Sequence, residues 1–166
     1  CYTNDILNIV NYLKNCHTYY LNEKYPQIRE YIQQIHTLNN HPEMVMIHDF
    51  FDTYFNEVKE HLVYENEVVF PYVLYLLNKN KCTDTPANYS VTEYREHHND
   101  IEEKLYDLKN LLVKYLPIKD DQQIRRKLLF SLYELEYDLK IHSHIEIFLL
   151  IPLAEKIEQT HNKINE

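Results

Sequence analysis

Not one glycine occurs in the 166 residues, and no other feature narrows the fold so far. Left-handed backbone positions, which glycine fills at least cost, underlie tight β-hairpin turns and the phosphate-cradling loops of the P-loop and dinucleotide motifs. Those turns and those nucleotide sites are closed to this chain. What remains is helical: apolar residues recur at three- and four-residue spacings over roughly 4–36, 42–79, 90–116 and 120–160.

The segments are separated by "NKNKCTDTPANYS" (78–90) and "LPIKDD" (116–121), which read as turns with helix-starting Asp, Ser and Thr, and by "NNHPE" (39–43), which sets Pro42 in the first turn of the second segment. Short connections between long helices predict antiparallel neighbours, hence an all-α, up-down-up-down four-helix bundle. Pro26, Pro71 and Pro152 fall inside segments and predict bends there. Pro71 and Pro152 each follow an H-x-x-x-E by six residues, so the second and fourth helices echo one another.

With 45% hydrophobic residues, the chain is long enough to bury one core, and a single domain over 1–166 is expected. It begins at Cys rather than Met, which is compatible with a piece of a longer protein. A net charge of -9 gives no general attraction to nucleic acid or anionic membrane. No apolar run approaches the ~18 residues of a membrane span and no signal peptide is evident, so a cytoplasmic protein is expected. Cys1, Cys16 and Cys82 are far apart and form no C-x-x-C pair, which argues against a disulfide framework or a thiolate zinc site.

Tracing the inward face of each helix shows where the chemistry lies. The second helix reads Phe51, Tyr54, Val58, His61, Glu65, Val68, and the fourth Leu128, Leu132, Leu135, Leu139, His142, Glu146, Leu149, Leu153. The first reads Ile6, Val10, Leu13, His17, Tyr20; the third Val91, Tyr94, His98, Ile101, Leu105, Leu108, Leu112. All four helices send an imidazole inward, and two add a carboxylate. A lone H-x-x-x-E is ordinarily a wet i, i+4 pair, but burying two carboxylates among four imidazoles costs several kcal/mol per unpaired charge.

A metal centre answers that polarity. Residues i and i+4 stand about 6 Å apart on one helix face, so each H-x-x-x-E can offer an imidazole to one ion and a carboxylate to a second. Four imidazoles and two carboxylates suffice for two ions, and a donor set without thiolate suits iron, manganese or zinc.

Single His, H-x-x-x-E, single His, H-x-x-x-E across four helices resembles the hemerythrin-like HHE cation-binding domain. Within it, "HLVYENEVVFP" (61–71) and "HSHIEIFLLIP" (142–152), supported by "CHTYYLNEKYPQI" (16–28) and "EHHNDIEEKLYDLK" (96–109), are similar to di-iron proteins that repair iron–sulfur centres after nitrosative or oxidative damage. The resemblance implies two iron ions in an oxo- or hydroxo-bridged centre, held by His17, His61, Glu65, His98, His142 and Glu146, with Glu65 and Glu146 bridging. His97 is the alternative to His98. It further implies O2, NO or reactive oxygen species as small ligands and damaged iron–sulfur proteins as clients. The other function open to the same centre is an O2- or NO-sensing module attached to an output domain.

Other histidines carry less. His36 and His41 near the first interhelical turn suit a turn, surface or access role; His144 points off the inward face; His48 and His161 carry no signal. Sixteen tyrosines suit aromatic packing, with Tyr20 and Tyr54 the two nearest the expected ligands. "IRRK" (124–127) reads as a solvated patch.

Overall fold

Proline decides how the long helices are built. Inside an α-helix it lacks the N–H for one ladder bond, and its ring clashes with the carbonyl four residues back. The structure, a computed structural model, describes residues 2–38, 42–78, 90–96, 101–115 and 122–164, and every described residue except Ser90 is helical. The elements are α1 (Tyr2–Tyr19), α2 (Tyr25–Leu38), α3 (Pro42–Tyr64), α4 (Phe70–Asn78), α5 (Val91–Glu96), α6 (Ile101–Tyr115), α7 (Gln122–Ile145) and α8 (Ile151–Ile164). Where bends are expected, π-helical turns join α1 to α2 (Tyr20–Lys24), α3 to α4 (Glu65–Val69) and α7 to α8 (Glu146–Leu150).

The three π turns share one register. In each, the residue before the proline donates its backbone N–H to a carbonyl five residues back: Tyr25 to Tyr20, Phe70 to Glu65 and Ile151 to Glu146. The carbonyls that would meet the proline rings belong to Asn22, Glu67 and Phe148, the middle residue of each turn. Widening the turn by one residue removes that conflict and lets the helix continue.

The extra residue also rotates the helix beyond it. Val68 and Leu149, expected on buried faces, are 37% and 48% exposed, whereas Val69 and Leu150 are buried. Leu153 is only half-buried, and Ala154 beside it is buried. Lys24 holds the same place in the first π turn that Val69 and Leu150 hold in the other two. Only 4% exposed, its ammonium donates to the Glu134 carboxylate at 2.6 Å.

Upstream of the π turns the expected inward residues are buried, except His61, which is half-buried beside buried Leu62: Ile6, Val10, Leu13, His17 and Tyr20; Phe51, Tyr54 and Val58; Leu128, Leu132, Leu135 and Leu139. So are Val91, Tyr94, Leu105, Leu108 and Leu112. Pro42 opens α3, and Ser90 caps α5, its side-chain oxygen and carbonyl both accepting from the Glu93 N–H. Apart from Asn78 and Ser90, the turns expected at 78–90 and 116–121 lie outside the described residues, as do His41, Cys82, His97 and His98.

The chain divides into two compact units. One comprises Cys1–Cys16, His61–Asn99 and Ile141–Glu166; in its core α8 packs on α4 and α5, with Val69, Phe70, Val73, Leu150 and Ile151 buried among Ile6, Val10 and Leu13. The other comprises His17–Glu60 and Asp100–Lys140. There Tyr25 stacks on Phe55 at 4.9 Å between ring centroids and lies near Phe51, and its hydroxyl donates to that of Tyr54 at 3.1 Å. Burial pushes the Tyr25 phenol well above its usual range, followed by the charge and hydrogen bond of Tyr54, so it stays neutral. Among the described residues no helix is long and apolar enough to cross a membrane.

Candidate metal centre

Glu65 and Glu146 each open a π turn, so the widened turn begins at the carboxylate itself. Each follows its histidine by one α-helical turn: His61 Nε2 lies 3.0 Å from a Glu65 oxygen, and His142 Nε2 lies 3.2 Å from a Glu146 oxygen and 4.0 Å from the second Glu65 oxygen. His142 thus faces both carboxylates. α1 is unbroken through Tyr19, which carries His17 one residue beyond Cys16. His17, Glu65, His142 and Glu146 are all buried, and each offers a ligand atom within 4.8 Å of the others.

The charges decide what this group can do. Both carboxylates are fully buried, where an ion left uncompensated costs several kcal/mol. Burial alone would lower the His142 imidazole, but its interactions with Cys16, Glu146 and Glu65 and the charge of Glu146 outweigh that and hold it well above its usual 6.5. A protonated His142 therefore neutralises part of the carboxylate charge; His61, with its side chain 18% exposed, stands at the rim of Glu65. Two imidazoles and two carboxylates without thiolate, clustered and sealed from water, fit a borderline or hard divalent metal.

The direction of the His142 shift gives a pH dependence. Its folded value lies above the unfolded one, so its stabilisation is complete below about pH 6.5 and is lost as pH rises through the folded value. Metal-stripped protein should melt progressively lower as pH climbs from about 6.5 into the alkaline range, and His142→Gln should flatten that slope. Parallel melting curves for wild type and variant would contradict the assignment.

Five of the six expected ligands lie among the described residues. The structure brings four of them, His17, Glu65, His142 and Glu146, into one group and sets His61 against Glu65; His98 and its alternative His97 lie outside the described residues. His36 is half-buried near the end of α2, His48 sits 3.6 Å from Asp52, and His144 is exposed with its ring edge-on to Phe148 at 5.4 Å. Tyr20 and Tyr54 are buried.

In the sequence Cys16 belongs to no C-x-x-C pair, yet in the fold its thiol is among the groups that raise the His142 imidazole. Two signals could have found it. It directly precedes His17, and it stands four residues before Tyr20, which opens a π turn as Glu65 and Glu146 do. Cys16-x-x-x-Tyr20 with Pro26 thus repeats the spacing of His61-x-x-x-Glu65 with Pro71 and His142-x-x-x-Glu146 with Pro152.

Helical segments that carry buried His/Glu pairs inward define a metal-binding helical bundle. Residues 8–154 match the hemerythrin HHE cation binding domain, and the chain belongs to that family. It is also 22% identical over 148 residues to the iron-sulfur cluster repair protein ScdA of Staphylococcus haemolyticus (strain JCSC1435), a match that covers 88% of this chain and 66% of that protein. The chain thus spans just under two thirds of that relative. No solved structure matches it.

Proposed function

We propose that this chain holds two iron ions and serves in the repair of iron–sulfur centres damaged by nitric oxide or oxidants, within an up-down-up-down four-helix bundle of the cytoplasm. The observation that carries the reading is the buried group of His17, Glu65, His142 and Glu146. The likeness to the cluster repair protein ScdA supports the same direction.

In this reading His17, His61 and His142, with His98, would supply imidazoles to the metal, and Glu65 and Glu146 would supply the carboxylates. Bound iron would contribute one-electron chemistry and positions open to O2, NO or reactive oxygen species. The protein's own part is to orient the donors and to keep water away. Glu65 and Glu146 are anchored at the first residue of their π turns, and the residues that close those turns, Val69 and Phe70 in one case and Leu150 and Ile151 in the other, are buried in the adjacent core. That packing fixes the carboxylates on the side of the helix that faces His142.

The test uses a client enzyme whose iron–sulfur cluster has been damaged with a nitric oxide donor. Iron-loaded protein should restore its activity, and Glu65→Ala/Glu146→Ala protein prepared in parallel should not. Equal recovery with the double variant, or with the same amount of free ferrous iron, would overturn the repair function.

A further inference from the structure

A second candidate site is an open groove whose lining includes none of these ligands. About 470 Å3 in volume, it is lined by Tyr19 from the end of α1 and by Tyr133, Glu134, Tyr137 and Asp138 of α7. That size is within the usual range for small-molecule sites. Tyr133 and Tyr137 leave more than half of their surface in water.

The two carboxylates are unequal. Glu134 is already bonded to the Lys24 ammonium, whereas half-buried Asp138 has no hydrogen bond or ion pair among the described residues. Burial raises its carboxyl above the usual value, Lys24 pulls it back through space, and Glu134 pushes it up again. One negative charge is left facing aromatic walls. Tyr133 already attracts a cation: the Lys109 ammonium lies 4.5 Å from its ring centroid.

The kind of cation follows from the donors. A hard metal ion needs about six oxygen ligands, and one free carboxylate does not supply them. A primary ammonium or guanidinium brings several N–H groups that each need an acceptor. A methylated ammonium has no such need; its diffuse charge and methyl groups are satisfied by ring faces and a single counter-ion. We propose that this groove binds a methylated ammonium ion, its charge balanced by Asp138 and its methyl groups packed on Tyr19, Tyr133 and Tyr137.

The probe is choline, titrated into the full chain and followed by saturation-transfer NMR, with dimethylbutanol, its uncharged isostere, as control. Saturable choline binding is expected, with the isostere at least about tenfold weaker and with Tyr137→Ala and Asp138→Asn each weakening choline about tenfold. Both substituted side chains are solvent-accessible, and far-ultraviolet circular dichroism checks that the fold is kept. No saturation by about 10 mM choline, equal binding of the isostere, or unchanged affinity in Asp138→Asn would each overturn the site.

Discussion

Leu150→Ala should destabilise the protein by about 2–5 kcal/mol, and Leu149→Ala, its neighbour, by no more than about 0.5 kcal/mol. Leu150 is buried in the core with Ile151, Val69 and Phe70, so truncation removes apolar contact and leaves a cavity. Leu149 is 48% exposed and gives up little. The contrast depends on the π turn. Continuing the inward face by α-helical spacing puts Leu149 inside, and only the added residue of Glu146–Leu150 transfers the burial to Leu150. Urea unfolding in one metal state, with unchanged dependence on denaturant, reads both effects. Equal losses, or a larger loss at Leu149, would show that α-helical spacing persists through Pro152.

Metal should be the largest single contribution to stability that can be switched on and off. A ligand present at a thousandfold its dissociation constant adds about 4 kcal/mol, on the order of 10 °C in melting temperature for a chain of this size. The physical source is the buried charge: Glu65 and Glu146, compensated in the metal-free chain by histidine, gain a stronger partner. Wild type should melt that much higher with ferrous iron than after chelation, and Glu65→Ala/Glu146→Ala should not respond. Identical melting of loaded and stripped wild type would contradict a buried metal site.

Periodicity carries much of this fold because most of the chain is α-helical. The burial of Ile6, Val10, Leu13 and His17, and of Leu128 through Leu139, follows from spacings of three and four alone. The same spacing fails at Val68 and Leu149 for a local reason. A π turn adds one residue to one turn, and hydrophobic pattern does not register it, since Val68 and Val69 are equally apolar, as are Leu149 and Leu150.

Proline does carry that information. Pro26, Pro71 and Pro152 predict bends, and what they share is the place of the π turn, which opens six residues earlier at Tyr20, Glu65 and Glu146. Two of those opening residues are the glutamates of the candidate site, so the carboxylates and the prolines belong to one structural unit rather than two. The candidate site is legible because polar residues on an apolar face stand out. Cys16 and the groove are not: a cysteine passes for core, and Tyr19, Tyr133, Tyr137 and Asp138 converge only once α1 and α7 are folded.

The most direct measurement is iron per chain, by mass spectrometry of the elements, in protein expressed with iron supplied, for wild type and Glu65→Ala/Glu146→Ala side by side. About two irons per chain in wild type, falling to trace in the double variant, is the predicted result. A trace in wild type, or the same content in both proteins, would mean that histidine–glutamate pairing alone accounts for the buried group.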